Sequence, residues 1–206
     1  MTAIAADDGS AVSVEETTMN VESRQISETM RRLNMGCGPH RMPGWLNADI
    51  HRGPGIDGVG DIRTGLNLDT DSIDYIVAMH MLQDLRYPDI PVALRELKRV
   101  LIPRGVLRLG LPDLEKAIRA YMAADHGYFH VPDGDARAIG TKFVTQIIWY
   151  GSVRTPFTFD CIAELLVRER FRQVRRCALG QTDSIYPDIV QLDNRPRESL
   201  FVEAMK

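Results

Sequence analysis

The amino-acid sequence predicts an α/β fold in which helices cover both faces of a mostly parallel β-sheet. Three observations carry this prediction. Short apolar strands alternate with helical segments along most of the chain. The run Ile73–Met79 is almost continuously apolar, as expected for a strand that is covered on both faces. Two strand-like segments near the C-terminus flank a turn-rich stretch, residues 180–198, which indicates an antiparallel pair at one edge of the sheet.

The composition fits one α/β domain and excludes several classes of protein. A chain of 206 residues, 44% of them hydrophobic, can form a sizeable core. The formal net charge of −3 disfavours a nucleic-acid-binding protein, which normally carries a basic face. Three widely spaced cysteines, Cys37, Cys161 and Cys177, indicate a reducing compartment. No apolar run reaches the length of a membrane span and no secretory signal is visible, so we expect a cytoplasmic protein without a membrane partner.

The chain divides into an N-terminal segment, residues 1–30, and a domain, residues 31–206. The first twelve residues are small and acidic and are expected to be flexible, whereas Val14–Arg32 has helical spacing of its apolar residues. Seven strands are expected at residues 32–35, 45–50, a short segment ending at 61, 73–79, 106–111, 171–179 and 199–205. Four helices are expected at residues 89–101, 113–124, 137–149 and 159–170.

Two irregular segments interrupt this alternation. The sequence Pro103-Arg104-Gly105 combines two helix breakers and is predicted to separate a helix from the next strand. Residues 125–157 form a long insert rich in aromatic residues and histidines, and we expect this insert to cap the substrate side of the sheet.

A ligand of a parallel sheet binds beyond the carboxyl ends of the strands, and the first of these ends is a glycine turn, Gly36-Cys37-Gly38. A dinucleotide-binding turn would have a third glycine at position 41, which is arginine here. Only eight residues separate Gly36 from Trp45, too few for a full crossover helix whose N-terminus would hold a pyrophosphate. The sequence therefore favours S-adenosylmethionine, which has no phosphate, over NAD.

Several segments together resemble small bacterial class I S-adenosylmethionine-dependent methyltransferases, beginning with a GCG…PGWLNAD pattern. They are Leu33–Gly38, Pro43–Asp49, Ile73–Ile76 with His80–Leu82, Leu94–Arg108, Pro112–Leu114 and Ser199–Ala204. The resemblance covers roughly residues 31–206. It implies a Rossmann-like, doubly wound sheet of seven strands, mostly parallel, with an antiparallel C-terminal edge strand.

The resemblance also implies a cofactor site along the ends of the first four strands. The two glycines of the turn would let the backbone approach the methionine part of the cofactor, and Asp49 would hold the ribose. Asp61 and Ile62 would border the adenine, whereas Met79 and His80 would face the methyl group. The full expected set is Asn34, Gly36, Cys37, Gly38, Asp49, Ile50, Asp61, Ile62, Met79 and His80.

This chain departs from the family pattern at three places. The family commonly has His-Val-Leu-Glu-His after the fourth strand, where this chain has His80-Met81-Leu82-Gln83-Asp84. Pro-Gly-Gly is replaced by Pro103-Arg104-Gly105, and a histidine often found before the last helix is replaced around Thr155-Pro156. The first and third departures lie near the expected acceptor, so they leave open whether the usual substrates are turned over.

Three residues are candidates for acid–base chemistry. His80 is the preferred base, because an unperturbed imidazole titrates near neutral pH, although a structural histidine bonded to a loop carbonyl fits the same position. Asp84 and Asp113 are the alternatives, with a solvated loop acid and a helix cap as their respective structural interpretations. Cys37 and His40 have metal-ligand spacing but no second pair nearby, so we expect no metal site.

The sequence thus predicts methyl transfer to the oxygen or nitrogen of a small-molecule or saccharide acceptor, by a monomer or homodimer. Two other hypotheses remain open. The first is a binding or regulatory protein that keeps the cofactor pocket without catalysis, and the second is an NAD-dependent enzyme.

Overall fold

The computed structural model describes residues 30–206, so the predictions for residues 1–29 lie outside the described part of the chain. Seven strands form one sheet: β1 (Arg32–Met35), β2 (Leu46–Asp49), β3 (Gly58–Val59), β4 (Ile73–Met79), β5 (Leu101–Pro112), β6 (Arg172–Cys177) and β7 (Ser199–Met205). Four α-helices accompany them: α1 (Ile90–Val100), α2 (Leu114–Met122), α3 (Ile139–Ile148) and α4 (Phe159–Arg168).

The strand order is β3-β2-β1-β4-β5-β7-β6, and it reverses direction between β1 and β4. Strands β1 to β5 pair in parallel, whereas β7 pairs antiparallel with both β5 and β6. The predicted α/β, mostly parallel seven-stranded sheet is therefore confirmed. Its antiparallel C-terminal strand lies one place in from the edge, because β6 takes the outermost position.

The sheet buries an apolar layer on each face. The larger layer receives the apolar stripes of α1 and α4, including Ile90, Leu94 and Leu97 of α1, all fully buried. Burying one such side chain stabilises the fold by about 1.5–3 kcal/mol. The smaller layer centres on Tyr75, whose ring lies 5.1 Å from that of Trp45 and 4.9 Å from that of Tyr186.

Two connections test the turn assignments made from the sequence. Between β1 and β2 the chain makes only turns, in agreement with the short spacing. The segment Pro103-Arg104-Gly105, by contrast, does not precede the strand but lies within it, because Leu101 already pairs with Ile73. Arg104 takes a left-handed φ of 68° at this irregularity. A Cβ at position 105 would lie 2.9 Å from the carbonyl oxygen of Asp74, so the strand accommodates the excursion only with glycine there.

A buried ion cluster, which the sequence analysis missed, fixes the segment that precedes β7. Arg108 on β5 is fully buried and donates to Glu203 Oε1 of β7 at 2.7 Å and to Asp193 Oδ1 at 2.6 Å. It also donates to the carbonyl oxygens of Ala178 and Gln181 at 3.2 and 3.1 Å. The cluster thereby ties residues 178–193 to the middle of the sheet. Among residues 30–206, no helix has the length and apolar character needed to cross a membrane.

Candidate active site

A cavity of about 600 Å³ opens at the carboxyl ends of β1, β2 and β4, where the strand order reverses. We call it the cofactor cavity. All ten residues that the sequence analysis selected for the cofactor line it: Asn34, Gly36, Cys37, Gly38, Asp49, Ile50, Asp61, Ile62, Met79 and His80. The fold thus brings together residues that are spread over four strand ends, and their contact with a cofactor remains a prediction.

The glycine turn is built from backbone conformations that suit glycine. Gly36 and Gly38 have φ values of 68° and 49°, in the left-handed region. The amide nitrogens of Gly36 and Cys37 donate to the carbonyl oxygen of Ala48 at 2.8 and 3.1 Å. A Cβ at Gly36 would lie 2.5 Å from Cγ of Met81, whereas a Cβ at Gly38 would meet nothing within 4 Å. Gly36 is therefore required by packing as well as by conformation, and Gly38 borders open space.

Asp49 lies at the end of β2 and is only 8% exposed. Its Oδ2 accepts from the backbone N–H of Gly38 at 2.9 Å, and its Oδ1 accepts from that of His51 at 2.9 Å. Each carboxylate oxygen uses one lone pair in this way and keeps another, so the side chain is fixed in place and still has capacity for ribose hydroxyls.

Asp61, the expected adenine partner, is already engaged. Its Oδ2 accepts from Arg63 Nη2 at 2.6 Å and its Oδ1 accepts from Arg63 Nε at 2.9 Å. The hydrogen bonds from Arg63 hold the pKa of the Asp61 carboxyl below its usual value. Nothing in the local sequence predicts this competition, since an arginine two residues downstream of an aspartate forms no distinctive pattern.

His80 follows β4 in a left-handed conformation, with φ of 52°. Its Nε2 lies 2.9 Å from Ser199 Oγ, and that hydroxyl donates to the carbonyl oxygen of Asn194 at 2.9 Å. Because the serine proton is used on Asn194, Nε2 carries the imidazole proton and donates to Ser199. The other nitrogen, Nδ1, is buried, unprotonated and without a partner among the described residues. Burial, with a smaller effect from Arg195, lowers the His80 pKa to about 4.

A second cavity, of about 240 Å³, lies on the other side of His80. We call it the acceptor cavity. Part of its wall comes from the end of β5 and the start of α2, through Pro112, Asp113 and Ala117. The rest includes side chains of the insert 125–157, namely Tyr128, Gln146, Ile147, Trp149, Ser152, Val153 and Pro156. His80, Asp84 and Arg195 line both cavities.

The two carboxylates proposed beside His80 have different surroundings. Asp113 is 4% exposed and caps α2, since its Oδ1 accepts from the N–H of Lys116 at 3.2 Å. The helix-cap interpretation of this residue is therefore confirmed. Asp84 stands at the junction of the cavities, where desolvation raises its carboxyl pKa against a lowering by the Gln83 amide.

Sequence reasoning missed the contribution of residues 194–199. Ser199 contacts His80 across 119 positions of the chain, and Arg195 lies at the junction in a left-handed conformation with φ of 51°. Nothing in the local sequence predicts such contacts. Within residues 30–206, no three His, Cys, Asp or Glu side chains are grouped so as to hold a metal ion.

The methyltransferase domain family matches residues 56–109 of this chain, from the approach to β3 through most of β5. This segment of the chain is similar to a methyltransferase domain. The fold is that of S-adenosylmethionine-dependent methyltransferases of known structure. A search of curated protein sequences found no match.

Solved structures with a similar fold include methyltransferases from bacteria and archaea. A Thermotoga maritima protein described as a possible histamine N-methyltransferase is 18% identical, with a TM-score of 0.52 over 85% of this chain and 82% of its own. A Mesorhizobium loti S-adenosylmethionine-dependent methyltransferase is 19% identical, with a TM-score of 0.50 over 88% and 94%. A third, from Archaeoglobus fulgidus, is 13% identical, with a TM-score of 0.51 over 87% of each chain.

Proposed function

We propose that this methyltransferase transfers the methyl group of S-adenosylmethionine to an oxygen or nitrogen of a small-molecule or saccharide acceptor. The observation that carries the proposal is the junction of two cavities at His80, Asp84 and Arg195. A methyl donor in one cavity and an acceptor in the other would meet there. Methyl transfer requires little beyond alignment of the two reactants and exclusion of water, and the junction between the two cavities would supply the alignment.

The residues of the cofactor cavity suit an adenosyl sulfonium ligand. The glycine turn leaves open space beside Gly38, where a Cβ would meet nothing within 4 Å. Asp49 retains lone pairs for ribose hydroxyls, and Ile50, which is 51% exposed, offers an apolar flank for the adenine ring. When bound, the cofactor supplies an electrophilic methyl group on a positively charged sulfur. We propose that Asp61 binds the adenine amine in competition with Arg63.

His80 and Asp84 are the residues that we propose to handle the acceptor proton. The depressed pKa of His80 keeps its imidazole neutral at neutral pH, so Nδ1 holds a lone pair beside the junction. A group of such low pKa accepts a hydrogen bond more readily than it holds a proton. Desolvation raises the pKa of the Asp84 carboxyl, and we propose that this side chain receives the proton from the acceptor.

The low basicity of His80 also favours one other function, a protein that binds the cofactor without transferring its methyl group. Its Nε2 is bonded to Ser199 and its pKa is about 4, which is far from that of an effective base at neutral pH. The two functions differ in one observable, which is the release of S-adenosylhomocysteine when acceptors are present.

Calorimetric titration with S-adenosylmethionine, S-adenosylhomocysteine and NAD tests the cofactor. We expect adenosyl ligands to bind and Asp49→Ala to weaken them about tenfold or more, since hydrogen bonds to a charged group are lost. Asp69→Ala, which removes an exposed carboxylate outside both cavities, is the matched control. A folded protein that binds no adenosyl ligand would overturn the proposal, and preferential binding of NAD would revive the dinucleotide hypothesis.

An acceptor screen then separates transfer from mere binding. Small molecules and saccharides come first, because the net charge of −3 disfavours a nucleic-acid acceptor.

We propose that the protein acts in the cytoplasm as a monomer or homodimer. His80→Asn is the informative variant, because asparagine tolerates the left-handed conformation of this position and removes the imidazole.

A further inference from the structure

The acceptor cavity presents excess negative charge to whatever occupies it. Its charged lining consists of Asp84, Asp113, Glu198 and Arg195, with His80 neutral. Arg195 Nη1 lies 3.6 Å from Glu198 Oε1, so these two charges offset each other. Within residues 30–206, no basic side chain forms an ion pair with Asp84 or Asp113. Desolvation raises the pKa of Asp84, whereas Arg154 and Arg195 act on this carboxylate and lower its pKa. The carboxylate that most lacks a cationic side chain is therefore Asp113, which is almost fully buried at the N-terminus of α2.

A second and independent feature is a pair of hydrogen-bond acceptors that nothing satisfies. Gln83 lines the cavity and is 5% exposed, and its Oε1 has no partner in the described part of the chain. Its Nε2 donates to the carbonyl oxygen of His80 at 2.5 Å, which fixes the orientation of the amide. His80 Nδ1 is the other unsatisfied acceptor. Buried polar atoms are almost always hydrogen-bonded, so a donor brought to either atom would satisfy it.

Aromatic side chains complete the wall. Tyr128 and Trp149 both line the cavity. Trp149 has φ of 40° and Tyr150 has φ of 54°, so two consecutive bulky residues adopt a left-handed conformation where α3 ends. Such strain persists where the surrounding structure imposes it and is concentrated at ligand sites. Trp149 lines the same cavity as the carboxylates, and an aromatic ring can bind an organic cation.

We propose that the acceptor is a small primary or secondary amine that enters the cavity as its ammonium ion. This inference rests on the proposed function. The ammonium supplies the N–H donors that Gln83 Oε1 and His80 Nδ1 lack, and its charge offsets that of Asp113. A neutral polyol would satisfy the two acceptor atoms but would bring no charge to compensate the Asp113 carboxylate. At ~30 Å³ per water molecule, the cavity holds about eight waters, which suits a small amine.

The methyl-transfer step needs only the ammonium, the Asp84 carboxylate and the bound cofactor. One N–H proton passes from the ammonium to the Asp84 carboxylate and then to solvent. The freed nitrogen lone pair forms the N–C bond as the S–C bond breaks, and the electron pair of that bond stays on sulfur. The products are the methylated ammonium and S-adenosylhomocysteine.

The test compares probes of one shape and different charge. Benzylamine, benzyl alcohol and benzoate are titrated into the protein, with and without saturating S-adenosylhomocysteine, and followed by ligand-observed NMR and calorimetry. We expect benzylamine to bind about tenfold or more tightly than benzyl alcohol, because its N–H groups bond to charged acceptors, and benzoate to be rejected. Equal affinity for amine and alcohol, a preference for benzoate, or no benzylamine binding would each overturn the inference.

Asp113→Asn isolates the charge, because asparagine is as good a helix cap as aspartate and α2 is kept. We expect this variant to lose most of the preference for benzylamine over benzyl alcohol. Asp160→Asn is the matched control, since it removes an exposed carboxylate from the first turn of α4. An unchanged preference in Asp113→Asn would contradict the inference.

The affinity for S-adenosylhomocysteine, measured in the same samples, distinguishes failure of the proposed function from failure of the amine inference. If the wild-type protein does not bind S-adenosylhomocysteine, the proposed function is overturned, whatever the amine result. If the protein binds S-adenosylhomocysteine but has equal affinity for benzylamine and benzyl alcohol, only the amine inference is overturned.

Discussion

The cofactor cavity and the acceptor cavity lie at the same end of one sheet, but the chain builds them in different ways. The cofactor cavity is mostly formed by turns that directly follow β1, β2 and β4, and its decisive features are backbone conformations such as that of Gly36. The acceptor cavity is assembled from distant segments, and its central contact joins His80 to Ser199 across 119 positions. Local sequence therefore encodes the first cavity, whereas tertiary packing encodes the second.

The largest effect is expected from the ion cluster that holds the distant segment in place. Replacing Arg108 with methionine leaves Asp193 buried without its cation, whereas Glu203 keeps its pair with Arg175, and we expect a loss of about 3–5 kcal/mol in the free energy of unfolding. Urea denaturation measures this loss. Arg168→Met is the control, because the exposed pair of Arg168 with Glu164 contributes about 0–1 kcal/mol. If both variants lost equal stability, the segment before β7 would not depend on the cluster.

The same contrast explains what could be predicted from the sequence. Apolar runs and turn residues located the seven strands, and all ten residues chosen for the cofactor line one cavity, because that cavity is formed by the strand ends. Ser199 and Arg195 were missed because tertiary contacts place them: Ser199 pairs with the end of β5, and Arg195 follows the segment that Arg108 holds through Asp193. The engagement of Asp61 by Arg63 was missed for another reason, since side-chain rotamers leave no periodic signal.

A pair of glycines tests the claim that backbone encodes the cofactor cavity. Gly36→Ala adds a clash with Met81 to the cost of a left-handed alanine, and we expect about 2–4 kcal/mol of destabilisation. Gly38→Ala carries only the conformational cost, about 1–2 kcal/mol, because its Cβ would enter open space. Thermal unfolding measures the difference between the two. We also expect Gly38→Ala to weaken S-adenosylhomocysteine binding, since its methyl group would narrow the cavity. Equal destabilisation would show that Met81 moves aside.

The pH dependence of stability tests the burial of His80 between the cavities. Its pKa is lowered from 6.5 to about 4, so the unfolded chain binds more protons than the folded protein between these values. The resulting stability is fully present above pH 6.5 and is lost as the pH falls towards 4. At 1.36 kcal/mol per unit of pKa, the loss amounts to about 3 kcal/mol. We expect His80→Asn to flatten this part of the pH profile and the exposed-site variant His40→Asn to leave it unchanged. If the stability of His80→Asn depended on pH as that of the wild type does, another group would be responsible for the acid sensitivity.

The smallest effect concerns Asp61, a carboxylate of the cofactor cavity that is already paired with Arg63. Arg63 holds both oxygens of Asp61, and the pair lies at the surface, where such ion pairs contribute about 0.2–1 kcal/mol. If Asp61 binds the adenine amine, Arg63→Met removes a competitor and tightens S-adenosylhomocysteine binding by up to about fivefold. Arg52→Met, which removes an exposed arginine that lines neither cavity, is the calorimetric control. Weaker binding by Arg63→Met would mean that the arginine orients Asp61 for the cofactor, so that even this cavity depends on a side-chain contact beyond its backbone.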